Sequence, residues 1–286
     1  MVKIAIITRT KDRSVFLPRA IRSIAEQSFK DYIHVIVNDG GDKAEVERIV
    51  NSQSPDVKSK IKLFHRSEPS GAPDTILNES IDRIDSEYVA ILDDDDTWQE
   101  DFLLQTTKCL DDNNDDVGGV VVRTDKVIEK IKDGSIDIIK SERLMPELQA
   151  ISLYRQFMDN QLMTNAFVFR RTAYEAIGKY DEALPVVADW EFGIRFLQEF
   201  EVEFLDPGFA LANYHHRVGT KDNSFSKHSH RKYDTLVANR YLRKELKAGY
   251  LGSGYIMSDL RYRQDSRNDF IKRIIPSRVL KVIKRK

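Results

Sequence analysis

Four runs of β-branched and apolar residues punctuate the first hundred positions: VKIAIIT (2–8), YIHVIVNDGG (32–41), KIKLFHR (60–66) and EYVAIL (87–92). Continuous apolar runs of this length read as strands of a sheet covered on both faces. The segments between them have helical spacing. VFLPRAIRSIAEQSF places Phe16, Leu17, Ala20, Ile21, Ile24 and Ala25 on one stripe. AEVERIVNSQ and PDTILNESIDRI behave alike, with Pro73 suited to a first turn. Strand and helix in alternation predict an α/β fold with a Rossmann-like, mostly parallel sheet flanked by helices. Right-handed crossovers bring the strand C-termini to one edge, where such sheets bind ligands. Thr8–Thr10, Asn38–Gly41 and Asp93–Asp96 are therefore expected to converge.

The fourth run ends in DDDD (93–96), followed by Thr97 and Trp98. Like charges in series fit a solvated turn, as in DDNNDD (111–116), where no buried strand leads in. At the end of a buried strand they need cations or donors. Clustered carboxylates suit hard divalent cations such as Mn2+ or Mg2+. Strand alternation points Asp94 and Asp96 away from the pair Asp93 and Asp95.

Beyond residue 100, DFLLQTTKCL reads as a helix and VGGVVVRTDKVIEKIKDGSIDIIK as strands joined by a hairpin at Asp133–Gly134. ISLYRQFM is expected to be a helix, NAFVFR a strand, VADWEFGIRFLQEF a helix and EVEFLD a strand. The final segment reads as helical and basic. The expected organisation is a nucleotide-binding half (1–100), an acceptor-binding half of the same domain (101–225) and a C-terminal helical, basic tail (226–286).

The formal net charge of −1 over 286 residues offers no basic field for nucleic acid. The lone Cys109 suits a reducing compartment. The opening MVKIAIITRTKDRS has only a short apolar run before charge returns, so no signal peptide is expected. No stretch reaches the roughly 20 apolar residues of a membrane span. These features predict a cytoplasmic protein. From residue 261 onward there are ten Lys and Arg against two Asp, with Ile271, Ile274, Ile275, Val279, Leu280, Val282 and Ile283 interspersed. That pattern fits either peripheral contact with an anionic membrane or packing on protein.

Four segments in this order resemble the family 2 glycosyltransferases of bacterial polysaccharide type, which have the GT-A fold; the resemblance covers about residues 2–217. IITRTKDRSVFLPRAIRSIAEQSF is similar to the family's opening segment, and VNDGGD to its nucleotide-binding turn. LDDDDTW is similar to its DXD signature, and VADWEFGIRFL to the segment holding its catalytic base. The resemblance implies an inverting transfer of a sugar from a nucleoside-diphosphate sugar, a UDP-sugar foremost, to a saccharide or lipid-linked saccharide. It implies donor contacts at Thr8, Arg9, Thr10, Asp39, Asp93 and Asp94, with Asp93 and Asp95 holding a divalent metal. The base falls at Asp189, and Trp190 and Glu191 are candidates for the acceptor side. The family's Arg-Asn pair before the DXD strand is Leu77–Asn78 here. Asn78 is kept on the donor side, and Arg217 or Lys221 is the candidate replacement for the phosphate arginine. In NYHHR, adjacent histidines on a strand face opposite ways, so at most one of His215 and His216 is expected to reach the metal or diphosphate. His216 is the expected one.

Rival readings leave different marks. TRTKDR lacks the glycines of a dinucleotide fingerprint or a nucleotidyltransferase loop, and no GxxxxGK[ST] or GxSxG is present. A non-catalytic nucleotide-sugar-binding module would keep Asp39 and the acidic pair but would not need Asp189.

Overall fold

The computed structural model of the chain describes residues 1–71, 73–132, 134–219 and 227–274. In chain order its strands are β1 (Val2–Thr10), β2 (Tyr32–Asn38), β3 (Ile61–His65), β4 (Ser86–Ile91), β5 (Thr97–Trp98), β6 (Val117–Val122), β7 (Thr124–Lys132), β8 (Ser135–Arg143), β9 (Phe167–Arg170), β10 (Glu201–Leu205) and β11 (Ala212–Arg217). Seven form a central sheet in the order β10-β6-β9-β4-β1-β2-β3. Only β9 runs against its neighbours, β4 and β6; every other pairing is parallel. The fold is thus the mostly parallel α/β sheet that the apolar runs predict.

Helices follow the strands as the spacing requires. Leu17–Ala25 starts with a proline in its first turn and buries Leu17, Ala20, Ile21 and Ile24. Lys43–Asn51 is capped by Asp42, whose carboxylate accepts the Glu45 N–H at 3.1 Å. Ile4, Ile6, Ile7, Val89, Ala90 and Ile91 fill the centre of the sheet. Each large side chain buried there stabilises the fold by about 1.5–3 kcal/mol. The strands deliver Thr10, Asn38 and the acidic run to one edge.

A second sheet, ordered β5-β11-β7-β8, was not foreseen. β5 emerges directly from the acidic run and pairs antiparallel with β11, Trp98 opposite Ala212. β11 then pairs in parallel with β7. Two residues are too few for any periodicity to announce β5. The β7–β8 hairpin is present as expected; its turn residue Asp133 lies outside the described residues, and Gly134 beside it adopts φ 79°.

Two C-terminal helices, Lys227–Ala248 and Ser253–Ile274, pack together and onto the main body. Val237, Ala238 and Met257 join Phe157, Leu184, Trp190 and Ile194 in one apolar cluster. A Cβ on Gly254 would lie 2.1 Å from the Leu242 backbone nitrogen, so only glycine permits this approach. The buried Glu245 carboxylate accepts the N–H groups of Gly252, Gly254 and Tyr255, closing the first turn of the second helix. Among the described residues no helix is long and apolar enough to cross a membrane. Residues 275–286 of the basic tail lie outside the described residues.

Candidate active site

A cleft of about 1190 Å³ opens at the C-terminal edge of the central sheet. All four aspartates of the run line it, together with Arg9, Thr10, Arg13, Asp39, Asp74, Asn160, Asp189, His215 and Arg217. The strand ends at Ile91 and the run turns, closed by the Asp96 N–H on the Asp93 carbonyl at 3.1 Å; Asp93 and Asp95 come out partly exposed, whereas Asp94 and Asp96 are buried.

Arginines answer the acidic charge. Arg9 forks between Asp93 (Nε to Oδ1, 2.8 Å) and Asp74 (Nη1 to Oδ1, 2.8 Å). Arg13 Nη1 reaches Asp94 Oδ1 at 2.7 Å and Asp95 Oδ2 at 3.0 Å. Arg217 Nη2 meets Asp95 Oδ2 at 2.8 Å and stacks over Phe16. Burial pushes Asp94 up to about 7, with Arg13 opposing. Burial and the Asp95 charge also raise Asp96 well above the usual carboxylate range, although the His215 N–H bonds its Oδ1 at 2.8 Å. The four equivalent charges of the sequence are therefore two open carboxylates and two buried ones.

At the other side of the sheet edge, Asn38 closes its own turn by bonds with the Gly41 N–H and carbonyl. Gly40 takes φ 74° there. This presents Asp39 to the cleft, its oxygens accepting the Ser70 N–H (2.8 Å) and hydroxyl (2.9 Å), with Arg66 at 3.2 Å.

Asp189 begins helix Ala188–Glu199. Its carboxylate looks into the cleft from otherwise close-packed surroundings. Burial, reinforced by the Asp74 charge, lifts its pKa to about 6. Asn160 Nδ2 donates to Oδ2 at 2.8 Å, and Gln156 Nε2 in turn holds Asn160 Oδ1 at 2.9 Å. Directly before it, Val187 adopts the left-handed conformation (φ 64°, ψ 12°). A β-branched residue there stores about 1–3 kcal/mol of strain, a cost characteristic of functional sites.

The remaining expected site residues lie elsewhere. Thr8 is fully buried and its hydroxyl is bonded to His34 at 2.9 Å, so its side chain does not reach the cleft. Asn78 is buried among Tyr180 N–H and carbonyl, Tyr174 hydroxyl and Glu182. Its amide braces the segment leading to Asp189 rather than facing a donor. Asn78→Leu is expected to lose about 2–4 kcal/mol in urea melts, because buried partners are left unpaired; UDP affinity of the folded variant should stay at the wild-type value. Trp190 is buried, with Nε1 on the Gln156 carbonyl at 2.6 Å and Arg261 over its ring. Glu191 is paired with Arg195 and bonded by Tyr241. One residue on a helix turns the side chain by about 100°, which separates both from the face of Asp189.

His216 corrects another expectation. In β11 it lies opposite Ile128 and is not among the residues that line the cleft. His215 lines the cleft instead, with Nδ1 2.9 Å from Glu129 Oε2 and Nε2 2.9 Å from Thr97 Oγ1. Lys221 lies outside the described residues. Asp74, Arg13, Asn160 and Glu129 were not anticipated: Asp74 and Asn160 sit in no recognisable motif, and Glu129 meets the site only through the second sheet.

The family model described as "Glycosyl transferase family 2" matches residues 5–178. The chain belongs to this family. A GalNAc(5)-diNAcBac-PP-undecaprenol beta-1,3-glucosyltransferase of Campylobacter jejuni is 34% identical over 96 residues, 34% of this chain and 30% of that protein. A PGL/p-HBAD biosynthesis glycosyltransferase of Mycobacterium bovis is 25% identical over 244 residues, 84% of this chain and 82% of that protein. The chain thus spans about a third of the length of the Campylobacter relative. Among solved structures, S. aureus TarS 1–349 with UDP-GlcNAc superposes with a TM-score of 0.66 at 14% identity, covering 96% of this chain and 77% of that one. The Pyrobaculum calidifontis mannosyltransferase PcManGT, solved with GDP-Man and Mn2+, gives 0.61 at 16% identity, covering 91% and 69%. At such identities the likeness establishes the GT-A fold of this family 2 domain.

Proposed function

We propose that this family 2 domain is an inverting glycosyltransferase that moves a sugar from a nucleoside-diphosphate sugar, foremost a UDP-sugar, to a hydroxyl of a saccharide or lipid-linked saccharide. The observation that carries the reading is the convergence of Asp189, ionising near pH 6, with Asp39, Asp93 and Asp95 in one cleft. A carboxyl group held in that range and facing the cleft suits a general base, which a binding module does not need.

In this reading Asp39 and Thr10 hold the nucleoside. Asp93 and Asp95, whose oxygens now meet Arg9, Arg13 and Arg217, are the carboxylates that would hold Mn2+ or Mg2+, with donor phosphate oxygens and water completing the shell. A divalent cation bound there would supply Lewis acidity towards the diphosphate. Arg13 and Arg217, already beside Asp95, add positive charge where the departing diphosphate needs it. Asp189 takes the acceptor proton as the hydroxyl attacks, and Asn160 keeps its carboxylate aimed. His215, on the cleft face, engages both ring nitrogens with Glu129 and Thr97, so neither histidine of the pair is assigned to the cation.

The acceptor class draws on the Campylobacter relative, whose name specifies a diphosphoundecaprenol-linked saccharide. The basic C-terminal segment, with Tyr255 and Tyr262 exposed on helix Ser253–Ile274, would meet the anionic surface carrying such an acceptor. The test is a panel of nucleotide-sugars with Mn2+ and short polyprenyl-diphosphate saccharides. Release of nucleoside diphosphate should require both acceptor and metal; a panel without acceptor-dependent release sinks the proposal.

A further inference from the structure

We propose that Glu129 is a positioning residue that holds the acidic loop in register for the donor complex; this rests on the reading of Asp95 as a metal carboxylate. Glu129 stands on β7, 0% exposed, where the β7–β8 pairing skips register between Ile128 and Glu129. A bulge of this kind re-aims side chains, and here the carboxylate points to the back of the acidic loop. It has two partners. Arg19, from helix Leu17–Ala25, donates to it at 2.7 Å and 3.3 Å. His215 Nδ1 lies 2.9 Å away.

Both partners end on the loop. Arg19 Nη2 donates to the Asp95 carbonyl at 2.6 Å. The His215 N–H bonds Asp96 Oδ1 at 2.8 Å, and its ring Nε2 meets Thr97 Oγ1 at 2.9 Å. The Asp95 carbonyl and the Thr97 hydroxyl are therefore tied, through Arg19 and the His215 ring, to one buried carboxylate that itself touches neither, and the His215 main chain holds Asp96 between them. Stability alone gives no reason for the arrangement, since a buried ion network is often replaceable by apolar packing. Partners that orient metal-binding groups from behind commonly govern metal affinity by 10–100-fold. Removing the Glu129 charge frees Arg19 beside Asp95, where it competes with a divalent cation, and unlocks the His215 ring.

The test compares wild type, Glu129→Gln and Glu129→Asp. UDP binding is titrated calorimetrically in Mn2+ and in EDTA, and amide exchange is followed over residues 93–98. We expect Glu129→Gln to lose tenfold or more of the Mn2+-dependent gain in UDP affinity, with affinity in EDTA unchanged and loop exchange accelerated. Glu129→Asp should recover part of both. If Glu129→Gln does not fold, Arg19→Lys, which cannot serve Glu129 and the Asp95 carbonyl together, should show the same pattern. A folded variant with wild-type Mn2+ gain and wild-type exchange overturns the proposal. So does an equal loss of affinity with and without Mn2+, which marks a merely structural residue. A wild type whose UDP affinity ignores Mn2+ removes the metal reading instead, and loop exchange alone then decides the role of Glu129.

Discussion

Replacing Asp189 with asparagine should lower turnover by on the order of 10²–10⁴-fold, the usual contribution of a positioned general base, while donor affinity holds. The pH dependence follows from its surroundings. Asp189 ionises near pH 6 because burial and the neighbouring Asp74 charge disfavour the carboxylate. Only the carboxylate accepts a proton, so wild-type kcat/KM should climb through pH 6 and level off above it. The same residue weakens the fold. Its folded-state pKa lies above the unfolded value of 3.8, so ionisation opposes folding. That penalty is absent below about pH 4 and complete above pH 6. The gap corresponds to about 3 kcal/mol, of which water in the cleft returns part, leaving on the order of 1–2 kcal/mol. Asp189→Asn should therefore be the more stable protein at pH 8, and lose that advantage near pH 4. An inactive variant with raised stability is the signature of a residue kept for chemistry. Full turnover in Asp189→Asn would place the base elsewhere.

The second large effect belongs to Asp95. Its Oδ2 faces both Arg13 and Arg217. Asp95→Ala is expected to lose on the order of 10²–10³-fold in kcat/KM, in line with several kcal/mol of charge stabilisation from a divalent cation. Treating the wild type with EDTA should reproduce the loss, and Mn2+ should restore the wild type but not the variant. A different reading assigns Asp95 only to its arginines. Under it, Asp95→Ala would melt earlier yet respond to Mn2+ as the wild type does, and that outcome would remove the carboxylate from the metal site.

How much of the site was legible depends on how each residue signals itself. Asp93 and Asp95 are marked by a buried strand that ends in charge; their partial exposure against buried Asp94 and Asp96 matches the alternation expected of a strand, but a turn after Ile91 sets it. Asp39 is marked by a strand end and paired glycines. Asn78, by contrast, looked like a donor contact from its place in a motif, and the structure occupies all of its amide with Tyr174, Tyr180 and Glu182. Thr8 stands two residues before Thr10 on β1, yet only Thr10 reaches the cleft.

The pattern of the chain by itself determined the parallel sheet, the edge at which ligands meet it, and the placement of the acidic run and Asp39 on that edge. These are properties of period and strand length, which are local and survive any packing. Tertiary structure alone decided which histidine faces the cleft, since that depends on how β11 registers against β7. It also decided that Trp190 and Glu191 are enclosed while Asp189 is open, because helix Lys227–Ala248 covers one face of their helix. The arginine partners of the aspartates and the reach of Glu129 to the acidic loop belong to the same class. They join residues as far as 122 positions apart, and no local pattern encodes a contact between segments so distant along the chain.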